Sequence, residues 1–434
     1  MLPIIGMILI FGVVFLAIVV APKLKINFGF FTLSAAFLIG YWVLGLDSGA
    51  ILAYFPARIA IIFILFTYFS GIVRRAGVFQ GIADRVLYVF RRHTAFIPWS
   101  IFFATAAVCA VGGGPLGAQV ICGPIALSIA EAVGFAPIIA VMMVCVAANI
   151  QFWWVHFGSA VHVQLVADNV GPGYDQTILV YILIASLVIS LIGLILTYVI
   201  FRGWKNTARE ADIQKPTPFT SFQKKVLFIV IAFVVLIAVP SGIEVFTTTA
   251  LTTWMVSRLD MYVLAAIACC ALTIMKVEDG ETVVKEDIPW SLILMLCGTS
   301  MLVGLLNDFG TVDYLSQIIA NSVHPVLIIP SLLLIGGILT MFANGLTVVQ
   351  LLAPLIFAVA AQTGIPQLGA YTATYIATQG TSCSPFSTGG AMALMNVTAN
   401  MDRAKVMKQQ IFITIVLLFV NTLTGFFLFD WMTP

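Results

Sequence analysis

Phe342-Ala-Asn-Gly-Leu-Thr347 and Thr378-Gln-Gly-Thr-Ser-Cys-Ser-Pro-Phe-Ser-Thr-Gly-Gly390 both stand inside residues 325–401, a run of 77 residues without one Asp, Glu, Lys, Arg or His. A segment that only crosses a membrane needs no such cluster of small and polar residues. In hydrocarbon every backbone polar group must be satisfied internally, so Gly- and Pro-broken segments survive there only against protein or a water-filled cavity. Such breaks are where carriers bind their cargo.

Composition places the rest of the chain around that stretch. Of the 434 residues, 61% are hydrophobic and only 9% charged, far below the roughly 25% charged residues of a soluble domain. This predicts an all-α polytopic membrane protein. No basic run interleaves with aromatics, so nucleic acid is not an expected partner. The seven cysteines form no CxxC pair and fall mostly in apolar runs, which reads as packing rather than as disulfides or a metal site. Residues 1–20 lack a basic segment before their apolar run and read as a retained span, not a signal peptide.

About ten full spans are expected, near residues 3–21, 28–46, 51–73, 136–166, 176–201, 225–240, 261–276, 288–306, 366–398 and 406–430. Two further apolar stretches, 96–133 and 325–363, are each interrupted by a Gly-rich polar tip. Their arms, at about 15 to 18 residues, fall short of the roughly 20 needed to span, which predicts re-entrant hairpins. Lys23, Lys25, Arg74, Arg75, Arg85, Arg91, Arg92, Arg202, Lys205, Arg209, Lys215, Lys224, Lys225, Arg403, Lys405 and Lys408 then share one side. That side is the cytoplasm by the positive-inside rule, and Asp47, Asp168, Asp175, Glu244, Asn307, Asp308 and Asp313 fall outside. Arg74, Arg75, Arg91 and Arg92 read as topology determinants, and Arg258 with Asp260 as an outer-loop pair.

The halves repeat each other. Pro124 and Gly134 are ten apart after the first tip, as are Pro354 and Gly364 after the second. Pro137 precedes Phe157 by 20 and Ser159 by 22, and Pro366 precedes Phe386 and Thr388 by the same intervals. Amphipathic connectors also correspond, Gly77-Val-Phe-Gln-Gly-Ile-Ala-Asp84 among arginines and Gly310-Thr-Val-Asp-Tyr-Leu-Ser316 among acids. Opposite sidedness makes this an inverted repeat, with two re-entrant hairpins, two broken helices and a midplane site. Residues 1–73 and 225–306 are the expected scaffold; 74–201 and 307–434 are the transport part, joined by a cytoplasmic linker over 202–224.

A carboxylate held at the midplane needs its charge compensated, and apart from His156 and His162 neither site segment supplies a cation. What remains are hydroxyls, side-chain amides, glycine backbone and the starts of half-helices, whose dipoles favour anions. The candidate substrate contacts are Gly113, Gly114 and Gln119 at the first tip, then Gln151, His156 and Ser159 at the first break. The second half offers Asn344 and Thr347 at its tip, with Ser387, Thr388 and Gly389 at its break. For Na+ the candidates are Gly112, Asn149, Gly158, Asn344, Gly380, Thr381, Ser382 and Ser384. Pro385 removes a donor and is expected to leave the carbonyls of residues 380–384 free to coordinate. No transition metal and no cofactor is expected.

Proton coupling normally shows as an intramembrane Asp or Glu. The second half has none, so Na+ is the expected coupling ion, with His156 as the proton-coupled alternative. His156 itself reads as a satisfied buried imidazole, a donor to a substrate carboxylate or a titrating group. Trp153 and Trp154 either pack or wall the pocket. The expected function is a secondary carrier for a small organic anion, a mono- or dicarboxylate, in the inner membrane. The alternative is the membrane subunit of a carrier that needs a periplasmic binding protein. An intramembrane enzyme built on Ser384 and His156 has no HExxH, GxGD or GxSG pattern behind it, so the chain is not read as an enzyme.

The order of three spans, amphipathic arm, hairpin, broken helix and closing span, twice over, resembles the ion transporter superfamily. That superfamily includes divalent-anion:sodium symporters, large subunits of TRAP transporters and MatC-like dicarboxylate carriers. Ser384-Pro-Phe-Ser-Thr-Gly-Gly390 and Gly112-Gly-Gly-Pro-Leu-Gly117 look like the MatC-like carriers, and Asn344-Gly-Leu-Thr347 stands where symporters of the superfamily hold carboxylates with a Ser-Asn-Thr motif. The first tip lacks that motif. The resemblance implies an elevator motion and a homodimer.

Overall fold

The computed structural model describes residues 2–24, 26–90, 96–152, 156, 158–204, 215–247, 249–397 and 401–428. Lys25, Arg91, Arg92, Trp153, Trp154, Phe157, Lys205 and Arg209 lie outside the described residues. Every regular element described is helical, with no strand, as backbone in lipid requires.

The first half runs α1 (Leu2–Leu24), α2 (Phe28–Trp42), α3 (Ser48–Ala53), α4 (Ala57–Arg75), α5 (Val78–Phe90), α6 (Ile97–Val108), α7 (Gly114–Val133), α8 (Pro137–Ala148), α9 (Gly158–Asn169) and α10 (Asp175–Ile200). The second runs α11 (Ser221–Phe246), α12 (Ala250–Arg258), α13 (Met261–Ile274), α14 (Gly280–Glu286), α15 (Trp290–Asp308), α16 (Thr311–Ser322), α17 (Pro325–Thr340), α18 (Gly345–Thr363), α19 (Gln367–Thr381), α20 (Thr388–Met395) and α21 (Arg403–Leu428). Seven helical stretches among the described residues are long and apolar enough to cross a membrane, and α12 with α13, bent by 51°, make an eighth. The chain is a multi-pass membrane protein.

Local details recur between the halves. Asp47 caps α3 by accepting from the Ala50 N–H at 2.9 Å, and Asp279 caps α14 by accepting from the Thr282 N–H at 3.1 Å. Pro56 (φ −80, ψ 68) precedes α4 and Pro289 (φ −80, ψ 69) precedes α15, each helix 19 residues long. Gly77 (φ 75) and Gly310 (φ 65) then turn the chain in a left-handed conformation that glycine adopts without strain, into the amphipathic arms α5 and α16. The two short capped helices are not apparent from the sequence; the third span expected from residue 51 begins inside α3, which ends at Ala53, and a turn over residues 54–56 leads to α4.

The arms of the two tips are less uniform than expected. α6 and α17 have 12 and 16 residues, but α7 and α18 have 20 and 19, enough at 1.5 Å per residue to reach about 30 Å. Short arms therefore do not mark these pairs. The chain instead leaves helical geometry at Val111 (φ −97, ψ 19) and Gly112 (φ 90, ψ 11), and again over residues 341–344. Both α6 and α7 pack on α8, as both α17 and α18 pack on α19.

Burial follows the logic of a lipid solvent. On α10 the hydroxyls of Ser186, Ser190 and Thr197 face inward while Leu187, Leu191 and Ile195, spaced by four, are exposed. At the centre lies α19, buried from Leu368 through Thr381 and wrapped by α10, α17, α18 and α21. α8 is buried along nearly its whole length. The two helices that end in polar breaks are thus the innermost of their halves.

Candidate functional site

α8 ends at Ala148 and α19 at Thr381, while α7, α18 and α20 begin at Gly114, Gly345 and Thr388. These ends surround one cavity of about 60 Å³. The first tip contributes Pro115, Leu116 and Gln119, and the first break Asn149, Gln151 and His156. The second tip contributes Asn344, Gly345 and Leu346, and the second break Gln379, Ser382, Ser387, Thr388 and Gly389. Leu292 of α15 closes one wall. Among the described residues, no Asp, Glu, Lys or Arg lines the cavity.

Hydrogen bonds knit the two breaks together. Asn149 Nδ2 donates to Ser382 Oγ at 2.7 Å and to the Gln379 carbonyl at 3.4 Å, tying the end of α8 to the end of α19. Asn344 Oδ1 accepts from the Leu346 N–H at 3.0 Å and so caps α18. Beside it, Gly345 lets the second tip approach the amide of Gln379; a Cβ at that position would stand 2.8 Å from Gln379 Nε2. His156 Nδ1 accepts from the Gly158 N–H at 3.0 Å, which leaves the proton of a neutral ring on Nε2.

The polar atoms left over give the site its chemistry. Gln119 Oε1, Gln151 Oε1 and Gln379 Nε2 are buried without a hydrogen-bond partner among the described residues, and all three side chains line the cavity. A buried polar atom left unpaired costs about 1 to 3 kcal/mol, which a bound polar ligand offsets. Either face of each amide can be turned to the ligand, so the same three residues serve acceptors and donors.

The second break differs from the expectation in one respect. The carbonyls of Thr381, Ser382, Cys383 and Ser384 are not free. Ser384 N–H donates to Thr381 at 3.1 Å, and Ser387 Oγ donates to Ser384 at 2.9 Å and to Ser382. Gln410, buried on α21, donates through Nε2 to Cys383 at 2.7 Å and to Gly390 at 3.1 Å. Pro385 withdraws one donor, but the tight turn and α21 supply others.

Of the substrate candidates, Gln119, Gln151, His156, Asn344, Ser387, Thr388 and Gly389 line the cavity, as do Asn149, Asn344 and Ser382 of the cation set. Gly112, Gly113 and Gly114 line a neighbouring cavity of about 250 Å³ with Ser70 and Arg74, which meets the first at Leu116. Ser159, Gly158, Thr347 and Ser384 are buried outside the lining. Thr381 donates to the Gly337 carbonyl of α17 at 2.8 Å, a packing role. Gly380 packs so closely on Asn421 that a methyl group there would collide, so its smallness serves helix contact rather than approach to a ligand. His162 pairs with Tyr371 Oη at 2.7 Å and lies edge-on to Tyr375, a core imidazole away from the cavity. Sequence reasoning missed Leu292 and Gln379. The signal for Gln379 was present, an amide in a charge-free helix just before its break.

Against known proteins, residues 1–378 match the citrate transporter family, CitMHS. No curated protein matches the chain. Among solved structures it is similar to the YdaH transporter of Alcanivorax borkumensis, which has an unusual topology, with 11% identity and TM-score 0.62 over 90% of this chain and 91% of that one. It is also similar to MtrF of Neisseria gonorrhoeae, of a class of antimetabolite efflux pumps, with 14% identity and TM-score 0.63 over 93% of this chain and 86% of that one. At such identities the likeness is one of fold. The family match takes in both tips and the first break and stops at the edge of the second; the chain belongs to the citrate transporter family.

Proposed function

We propose that this protein is a secondary active carrier that moves citrate or a related small carboxylate across the inner membrane by alternating access, coupled to Na+. The observation that carries the reading is the cavity at the meeting of two tips and two breaks, lined by amides, hydroxyls and one imidazole. Carboxylate oxygens would accept from Gln379, Asn344, Thr388 and the His156 Nε2–H, and a substrate hydroxyl would donate to Gln119 or Gln151. With no fixed cation among the described residues of the lining, charge is offset by the starts of α18 and α20 and by Na+ near Asn149 and Ser382.

The cavity's size bears on the mechanism. About 60 Å³ accommodates a few waters, well under the roughly 300 to 1,000 Å³ of ligand pockets. Substrate entry therefore requires tips and breaks to part. Residues 74–201 and 307–434 are the proposed moving unit, working against a scaffold of 1–73 and 225–306, and Leu292 marks the border between them. The repeated order of elements, with arms of opposite charge surroundings, supports an inverted pair of halves. Elevator motion and a homodimer rest on the superfamily resemblance.

A second reading, proton coupling through His156, is favoured by that residue's place in the lining. Citrate uptake into proteoliposomes separates the two. An inward Na+ gradient at equal pH drives uptake under the first. A pH gradient that alone drives uptake, and no longer does so in His156→Gln, establishes the second. Absence of citrate uptake under either gradient rejects the carrier reading.

A further inference from the structure

Two cavities away from the central site, about 760 Å³ and about 500 Å³, meet at Arg58 and Gln164, which line both. Unlike the central cavity, both fall in the size range of ligand pockets. One lies among α9, α10, α11 and the α12–α13 junction; the other among the turn before α4, α9, α15 and α18.

Arg58 is out of place by two physical rules. It stands in the first turn of α4, where the helix dipole disfavours a cation. It also lies at the end of α4 opposite Arg74 and Arg75, on the side assigned outside, where basic residues are scarce. It is exposed, and no carboxylate approaches within salt-bridge distance among the described residues. Asp168 lines the same cavity and attracts Arg58 from beyond contact distance, so no carboxylate among the described residues occupies the guanidinium's own donors.

Gln350 of α18 lines the 500 Å³ cavity together with Arg58. It is 2% exposed, and neither its Oε1 nor its Nε2 has a partner among the described residues. A buried amide with both ends unpaired is the mark of a missing ligand. Asn307 and Ser300 of α15 line the same space.

We propose that Arg58 and Gln350 form an outer capture site for the carboxylate substrate, occupied before the anion reaches the central cavity. The proposal rests on the carrier reading above. Asp168, Asp260 and Glu244 also line the two cavities and oppose an anion there. Asp168 accepts from Gln164 Nε2 at 2.6 Å, and Asp260 accepts from the Tyr262 and Val263 N–H groups. In this site the guanidinium and the amide attract the anion, and the acids shorten its stay.

The test is the half-saturating concentration for radiolabelled citrate uptake into proteoliposomes, at a fixed Na+ gradient and at low and high choline chloride. Arg58→Gln is expected to raise it about three- to fivefold at low salt, with the difference shrinking at high salt as an exposed charge is screened. Arg58→Lys keeps most of the wild-type value, Asp168→Asn lowers it, and Gln350→Leu raises it at both salts. Wild-type values in Arg58→Gln at low salt, with the wild type active, overturn the capture site and leave the carrier reading standing. A change that persists at high salt together with a lowered melting temperature makes Arg58 a structural residue and also overturns it. No citrate uptake by the wild type removes the carrier reading and the capture site with it.

Discussion

Two contacts tie the ends of α4 and α15 together, one at each end, and they are built on one frame with different chemistry. Tyr54 lies two residues before Pro56 and Asp287 two before Pro289, while Arg75 and Asp308 end the 19-residue helices α4 and α15. At one end Asp287, its side chain 4% exposed, accepts from Arg75 Nε at 2.6 Å and pairs with Arg74; Arg75 continues to Glu286 at 2.5 Å. At the other, Tyr54 Oη donates to the two oxygens of Asp308 at 2.8 and 2.7 Å. Prolines and glycines keep the backbone of the two halves alike, so side chains are free to make one end a charge cluster around one buried carboxylate and the other a single hydrogen-bonded pair.

The largest effect should come from the charged end. Asp287→Ala strands the Arg74 guanidinium, while Arg75 keeps Glu286 and Glu278; breaking a buried pair costs about 3 kcal/mol, toward the lower limit because Arg74 is 33% exposed. Asp308→Ala removes one partner of a hydroxyl and should cost about 1 to 2 kcal/mol. Thermal unfolding of the purified protein compares them directly. Equal losses would mean that the two ends are energetically equivalent, whatever their side chains.

A middle-sized effect is expected where the breaks differ. Thr388 and Ser159 occupy the same position, 22 residues after Pro366 and Pro137, but only Thr388 lines the cavity. Thr388→Ala should weaken citrate binding by about 1 kcal/mol, roughly fivefold, while Ser159→Ala leaves it unchanged. A matching loss in Ser159→Ala, measured by titration calorimetry, would bring both breaks to the substrate.

The smallest effect tests the hydrogen-bonded end by pH. Burial first, then the hydrogen bond to Asp308, pushes the Tyr54 phenol up to about 12 from its usual value near 10. A folded-state value above the unfolded one contributes stability below the unfolded value and loses it as pH rises through the folded one. The melting-temperature gap between wild type and Tyr54→Phe should therefore stay constant from about pH 6 to about pH 9 and narrow above about pH 10. A gap that varies below about pH 9 would assign the contact to another titrating group.

Much of this arrangement is legible in the sequence, for a physical reason: small and polar residues in a charge-free span are costly unless they face a cavity. The expected hairpin limits, 96–133 and 325–363, fall within one residue of the helices that bound the two tips. Less legible are features that depend on distant partners. Pro385 announces a lost donor, but not that Gln410, 27 residues after Cys383, supplies another. Equal spacing pairs Ser159 with Thr388 without saying which faces the cavity. α3 and α14, at 6 and 7 residues, are too short for periodicity to show, although Asp47 and Asp279 are recognisable caps. Motif likeness pointed to dicarboxylate carriers, whereas the family match is to citrate transporters.

The most direct test of the central cavity is equilibrium binding of radiolabelled citrate to the purified protein, wild type against Gln379→Leu. Gln379 carries a buried Nε2 with no partner among the described residues at the cavity wall, and Leu keeps its bulk without the donor. Loss of a hydrogen bond to a carboxylate should weaken binding about tenfold or more while the ligand-free melting temperature holds or rises. Unchanged citrate affinity in Gln379→Leu, with the ligand-free melting temperature intact, would place the substrate elsewhere in the protein.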